Sequence, residues 1–118
     1  MFSFIGIFSV TTLVVSLAGS AVAQTFPAKP LRIVTQFVPG SSGDTALRFI
    51  TPPMSEALGQ PVVIDSRPGA GGVVAAEQVM RAAGDGYTLL SSTSGAHIMR
   101  LFLVKNQSFD PVKDFAPV

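Results

Sequence analysis

Two short segments combine hydroxyl side chains with glycines: Pro39–Asp44 (PGSSGD) and Ser92–His97 (STSGAH). Glycine lets the backbone approach a ligand closely, and serine and threonine offer hydroxyl donors. Each segment follows a predicted strand and leads into a predicted helix, whose N-terminus presents unpaired amides and a partial positive charge. Such donors suit an anion such as a carboxylate. The segments indicate a carboxylate site built mainly from main-chain donors, with these candidate ligand-binding residues: Phe37, Pro39, Gly40, Ser41, Ser42, Gly43, Asp44, Thr93, Ser94, Gly95, Ala96 and His97.

The same segments also fit ordinary strand-to-helix loops with ordinary helix caps. Loops of this kind occur in every α/β fold, so the residues alone favour this second interpretation. Phe37 has a similar ambiguity, since it can pack in the core or form a wall of a pocket.

The apolar pattern predicts a parallel α/β fold that places both segments at one edge of a sheet. Apolar runs rich in β-branched residues predict strands at Leu31–Phe37, Pro61–Asp65 and Tyr87–Leu90. Helical spacing predicts a helix at Val73–Ala83, closed by a left-handed Gly84, and a helix at His97–Lys105.

The first helix carries a local conflict. Asp44 is predicted to be the N-cap of a helix over Thr45–Thr51. Pro52 and Pro53 follow, and a proline inside a helix costs about 3 kcal/mol. We therefore predict a kink or break near Thr51, with a second piece through Leu58 closed by Gly59.

Other chemistry finds little support in the residues. There is no cysteine, and His97 is the only histidine, so we predict no metal and no cofactor. The glycine-rich run Gly69–Val74 departs from the dinucleotide pattern at Val74. We interpret Arg67–Gly72 as structural, a tight turn with close contact between helix and strand. One enzymatic alternative stays open, a small secreted α/β hydrolase-like domain that uses Ser94 and His97.

The first 28 residues contain no charged side chain, and Phe4–Ala18 is mostly apolar. Ala21 and Ala23 fit the small-residue rule for signal peptidase, so we predict a signal peptide over residues 1–23 and export to the periplasm. The leader lacks the usual basic residues before its apolar core. The 8 basic and 7 acidic residues form no basic stripe, which argues against nucleic acid as a partner.

Four blocks, in order and at the right spacing, resemble the extracytoplasmic solute receptors of tripartite tricarboxylate transporters, the Bug receptors: Gly59–Val63, Arg67–Gly72, Asp85–Leu90 and Asp110–Val118. The resemblance implies part of a lobe of the periplasmic-binding-protein-like (type II) fold, mostly parallel sheet with flanking helices. It also implies a receptor, not an enzyme, that is monomeric when complete. Such a receptor captures a small carboxylate for membrane permease subunits and holds it between loops at the two segments described above, partly through ordered water.

Several residues depart from the family's pattern. Ser41 replaces the second glycine of a Pro-Gly-Gly turn, and Ser66 and Val73 stand where Asn is frequent. After His97 the family usually continues to Asn-Pro, whereas this chain continues Ile-Met-Arg100-Leu101. We expect Arg100 to bring a long cation near the cleft.

The family's receptors are about three times this length and have two lobes. We therefore expect residues 24–118 to be the N-terminal part of the first lobe, with Asp114–Val118 opening a further strand. This form is expected to bind weakly or not at all, and a third interpretation is a nonfunctional remnant.

Overall fold

The computed structural model describes residues 25–118, so the predicted signal peptide lies outside the described residues. Three strands form one parallel sheet in the order β2-β1-β3: β1 is Leu31–Thr35, β2 is Val62–Ser66 and β3 is Thr88–Ser91. Ile33 lies opposite Ile64 on one side and Leu89 on the other. The predicted parallel α/β sheet is confirmed.

The central strand β1 carries the core. Val34 and Thr35 are completely buried, and Leu31 and Ile33 are nearly so. Helix α1, Ser42–Leu58, contacts β2, whereas helix α2, Val73–Met80, packs against β1 and β3. Because crossovers between parallel strands are right-handed, the connections of this strand order place α1 and α2 on opposite faces. A strand covered on both faces is mostly apolar, and β1 has Leu31, Ile33 and Val34 among its five residues.

The strand boundaries differ from the predicted ones by one or two residues. Strand β1 ends at Thr35, whereas the alternating pattern extended it to Phe37. The amide of Phe37 turns back to the Thr35 hydroxyl at 3.3 Å, while the carbonyl of Thr35 accepts from Arg67 at 2.7 Å. Pairing therefore stops at Thr35, and Gln36 and Phe37 belong to the following loop. Strands β2 and β3 each begin one residue later than predicted.

Helix α1 is one continuous element, so of the kink or break predicted near Thr51 the break is wrong. Pro52 and Pro53 lie inside it and remove the amide donors that Arg48 and Phe49 would otherwise receive. Both of these residues are exposed, so water can satisfy their carbonyls. The buried side chains Asp44, Leu47 and Thr51 lie before the prolines and hold the opposite face of the helix against the protein.

The predicted C-terminal cap is confirmed for α1 and wrong for α2. Gly59 closes α1 in the left-handed region at φ 65°, as predicted. Helix α2 stops at Met80, three residues before Ala83, and Arg81 caps it in right-handed conformation. Gly84 is not left-handed, so its predicted capping role is wrong.

The third helical segment starts earlier than predicted. It consists of a π-helical turn, Gly95–Met99, followed by a short helix α3, Arg100–Leu103. Asp114–Val118 forms no strand, because residues 110–114 form a turn: the Asp110 carboxylate accepts the amides of Val112 at 2.9 Å and Lys113 at 3.2 Å. Within residues 25–118, no helix combines the length and the apolar character needed to cross a membrane.

Candidate functional site

The two segments singled out from the sequence meet at the carboxyl ends of neighbouring strands. Because β1 and β3 are adjacent and parallel, the loops that follow them leave the same edge of the sheet. The Gln36 amide nitrogen donates to the Thr93 hydroxyl at 3.0 Å, and the Ser92 hydroxyl lies 3.5 Å from the Gln36 amide oxygen. Gln36 therefore ties the first loop to the second.

A third loop joins the same place through Gly72. A Cβ at position 72 would overlap the Gln36 amide oxygen and lie 2.8 Å from the Cβ of Ala96. The φ of Gly72 is +94°, a conformation that side chains other than glycine rarely adopt. The loops after all three strands thus converge on one point, and only glycine fits there.

Sequence analysis missed Gln36 as a member of this site. A signal was present, because Gln36 is the first polar, non-hydroxyl residue after a buried strand, at the edge where parallel sheets bind ligands. The strand pattern extended through Phe37 and hid this signal.

The segment Pro39–Asp44 forms a reciprocal cap at the start of α1. Ser41, not Asp44, is the N-cap, and its hydroxyl accepts the amide of Asp44 at 3.4 Å. The Asp44 carboxylate reaches back and accepts the amide of Gly40 at 2.9 Å. The predicted Asp44 N-cap is therefore wrong by three residues, because a serine already occupies the cap and the acid completes the exchange from the first turn.

This cap satisfies two of the main-chain amides in the segment and leaves two others without an acceptor. Gly40 donates to Asp44, and Ser41 donates to the carbonyl of Val38 at 3.0 Å. The amides of Ser42 and Gly43, the first two of α1, have no acceptor within residues 25–118. They are the donors that this loop offers to an anion.

Asp44 is 1% exposed and pairs with Arg48, whose Nε donates at 2.8 Å. The hydrogen bond from Arg48 lowers the pKa of the Asp44 carboxyl below its ordinary value, and the amide of Gly40 lowers it further. The same contact raises the pKa of Arg48. The Asp44 carboxylate is thus held ionised next to the Ser42 and Gly43 amides in sequence, and the Arg48 guanidinium offsets its negative charge.

A hollow of about 300 Å³ lies along this part of α1. Three of the predicted site residues line it together with residues of the next helical turns; the lining comprises Pro39, Gly40, Asp44, Thr45, Arg48 and Phe49. Phe37 lies elsewhere, with its ring against Gly43, where an added Cβ would come within 2.5 Å of the ring. Phe37 therefore packs on the first turn of α1.

Thr93 organises the second segment. Its hydroxyl accepts the amide of Ala96 at 3.2 Å, and its carbonyl accepts the amide of His97 at 3.0 Å. Ala96 is buried against Gly72, while Ser94 and Gly95 are exposed. The exposed pair and Thr93 face solvent at the carboxyl edge of the sheet, the edge that the loop between β1 and α1 also leaves.

His97 has a packing role that leaves the hydrolase interpretation unsupported. Its Nε2 lies 3.3 Å from the carbonyl oxygen of Pro111, and its ring centroid lies 4.9 Å from that of Phe115 and 5.9 Å from that of Phe109. No hydrogen bond joins it to Ser94 in the described part of the chain, so the pair lacks the contact that activates a nucleophile.

Two further features concern the rest of the surface. Residues 25–118 contain no group of three or more metal-ligating side chains. A second hollow of about 420 Å³ lies between α3 and the turn at 110–114, where Leu101, Lys105, Gln107 and Phe109 contribute to its lining. None of the predicted site residues lines this second hollow.

Comparisons with known proteins identify the family and the fold that this chain resembles. Residues 46–118 match the sequence profile of TctC, described as the tripartite tricarboxylate transporter family receptor. The chain is 38% identical to protein BugT of Bordetella pertussis over 115 residues, which cover 97% of this chain and 34% of BugT. MatC from Rhodopseudomonas palustris, solved with bound malate, superposes with a TM-score of 0.74 at 41% identity, over 79% of this chain and 32% of MatC. Another R. palustris protein, solved with adipate, gives 0.73 at 35%, over 79% and 31%.

These matches share one feature of length. The chain spans about a third of each relative and of each solved structure that it matches. The BugT match covers 97% of this chain and so includes the sheet and the strand-end loops described above. The neighbours are periplasmic binding proteins, and the described sheet with its flanking helices is part of that fold.

The Asp44 contacts predict a specific loss of stability in acid. The folded-state pKa lies below the ordinary value of 3.8, so the unfolded chain binds more protons in that range and stability rises with pH there. The contribution is complete above the unfolded pKa and is lost as pH falls through the folded one. Between about pH 5 and about pH 3, the free energy of unfolding measured with denaturant should fall more steeply for the native chain than for Asp44→Asn.

The matched control is Glu56→Gln on the same helix. Glu56 is exposed and has no ion pair within residues 25–118, so its substitution changes the net charge equally without touching the cap. If Asp44→Asn and the native chain lose stability in parallel over this range, the described cap is wrong.

Proposed function

The chain belongs to the family of tripartite tricarboxylate transporter receptors, and from this membership we propose that it is the substrate-capturing part of such a receptor. It binds a small carboxylate at the carboxyl edge of its sheet and delivers it to membrane permease subunits. A second lobe closes over the ligand in the complete receptor, which acts as a monomer. The protein performs no chemistry on its ligand and needs no cofactor.

The observation that carries this proposal is the pairing of two donor loops at one edge. The amides of Ser42 and Gly43 have no acceptor within the described chain, and Gln36, in the loop that leads to α1, donates to Thr93 in the loop after β3. Main-chain amides at a helix N-terminus favour a carboxylate through both hydrogen bonding and the helix dipole. Anion donors without a nearby nucleophile and base suit capture and release rather than catalysis.

The relatives support a carboxylate as ligand class. Malate and adipate, the ligands of the two solved neighbours, both carry two carboxylates. Each of these structures superposes over 79% of this chain. The proposed ligand-binding set therefore remains the one predicted from the sequence, namely Phe37, residues 39–44 and residues 93–97. Gln36 is added as the residue that connects the two loops.

Carboxylate binding should depend on the main-chain amide of Ser42, which a single substitution by proline can remove. Ser42 is the first residue of α1, where proline is tolerated, and Ser41 before it has an extended ψ of 166° that suits a following proline. Ser42→Pro therefore deletes one amide and keeps the helix. Titration of the isotope-labelled full chain with succinate, followed by NMR, should give saturable shifts in residues 36–43 and 92–97. We expect a dissociation constant of about 1 mM in the native chain and binding about tenfold weaker in Ser42→Pro.

Ser42→Ala is the matched control, because it removes the hydroxyl and keeps the amide. It should bind within about twofold of the native chain, since a neutral hydroxyl contributes less than an amide at the positive end of a helix. Dimethyl succinate, which has no charge, should cause no shifts. Equal binding by Ser42→Pro and the native chain, or shifts confined to other residues, would contradict the proposal, and an absence of all shifts would favour the nonfunctional remnant.

We further propose that the first 23 residues direct export and are removed between Ala23 and Gln24. Expression with the native leader in a bacterium with two membranes should yield periplasmic protein that begins at Gln24, measured by intact mass. Replacement of both Ala21 and Ala23 by Lys should abolish this cleavage. A native protein retained in the cytoplasm with its first residues intact would overturn the export proposal.

A further inference from the structure

Ion pairing among the charged side chains leaves one arginine without a carboxylate. All 15 charged side chains of the protein lie within residues 25–118. Four of the five arginines contact a carboxylate: Arg32 and Arg67 contact Asp65, Arg48 contacts Asp44, and Arg81 contacts Glu77. Arg100 has no such contact in the described structure.

Arg100 is held in place despite this lack of an acid. Its Nη1 lies 3.4 Å from the carbonyl oxygen of Ala70, and the same nitrogen lies 3.4 Å from where a Cβ of Gly71 would be. Its Nε is shielded from solvent and has no hydrogen-bond partner within residues 25–118. A guanidinium has five donors, so a single long contact leaves most of its capacity unused.

The position of Arg100 connects it to the candidate site. Arg100 lies one helical turn after Ala96, so both contact the same glycine-rich loop: Ala96 packs on Gly72 and Arg100 packs on Ala70. That loop follows β2, at the same carboxyl edge as the loops after β1 and β3. The unpaired cation thus belongs to the ring of loops around Gly72.

We propose that Arg100 binds the second carboxylate of a dicarboxylate ligand and thereby determines specificity for dianions. This inference rests on the proposed function, in which the first carboxylate takes the amides of Ser42 and Gly43. Arginine suits the role because its planar donors match a carboxylate in pairs, and because a partly buried cation without an acid is stabilised by an incoming anion. A monocarboxylate would occupy only the amide end and would gain nothing from Arg100.

The test compares succinate with butyrate, which has the same number of carbons but one carboxylate. Both are titrated by NMR into the labelled full chain, its Arg100→Gln variant and its Arg100→Lys variant. The native chain should bind succinate about tenfold more tightly than butyrate, and Arg100→Gln should reduce that ratio to about one without changing butyrate affinity. Arg100→Lys should keep part of the preference, since it keeps the charge but not the paired donors. The Arg100 Nε–H signal should shift with succinate and not with butyrate.

Arg81→Gln is the matched control. It removes one positive charge from the end of α2, where Arg81 pairs with Glu77 at 2.7 Å, and should leave the succinate-to-butyrate ratio unchanged. This control separates a local contact from the general effect of net charge, which weakens with added salt. An equal loss in Arg81→Gln and Arg100→Gln would overturn the inference.

The failures of the two proposals can be distinguished. If both acids shift the amides of Ser42 and Gly43 and Arg100→Gln leaves their affinity ratio unchanged, the role of Arg100 is refuted and the carboxylate receptor stands. If neither acid shifts the residues of either loop, the receptor proposal fails and this inference fails with it.

Discussion

The close approach at Gly72 is the constraint on which the described fold and its candidate site depend. Gln36 from the end of β1 and Ala96 from the π-helical turn both lie against this residue, where no Cβ could fit. The left-handed backbone of Gly72 also starts α2, the helix that covers β1 and β3. One glycine therefore fixes how three strand-end loops meet and where one covering helix begins.

In the loops that meet at Gly72, polar side chains have structural roles and main-chain amides have the proposed binding role. Polar side chains mostly satisfy the protein itself: Ser41 and Asp44 cap α1, and Thr93 supports the π-helical turn. The main-chain amides of Ser42 and Gly43 have no acceptor within residues 25–118, and they are the donors of the proposed carboxylate site. A site of this kind is preorganised, because its donors are fixed by helix geometry rather than by flexible side chains, and the ordering cost of binding is correspondingly small. In the further inference, Arg100 adds a positive charge beside the glycine-rich loop that follows β2.

Much of the fold could be predicted from the sequence, because apolar runs and glycine caps are local signals. The three strands and Gly59 are examples. Helix α1 was predicted to kink or break near Thr51, since the sequence cannot show that the carbonyls freed by the prolines lie on an exposed face. The meeting of Gln36 with Thr93 joins residues 57 positions apart and depends on strand order, which no local pattern contains. The cap was misplaced because Ser41 and Asp44 both suit it and only the backbone angles decide.

The most direct test of this account is the stability of Gly72→Ala compared with Gly59→Ala. Both glycines are left-handed, at +94° and +65°, but the space around Gly59 is open to 4 Å, so Gly59→Ala measures backbone strain alone. That strain costs about 1–3 kcal/mol. Denaturant unfolding should show a clearly larger loss for Gly72→Ala, together with displaced NMR signals of Gln36, Thr93 and Ala96. An equal loss for the two variants, with those three signals unmoved, would contradict the convergence of the loops on Gly72.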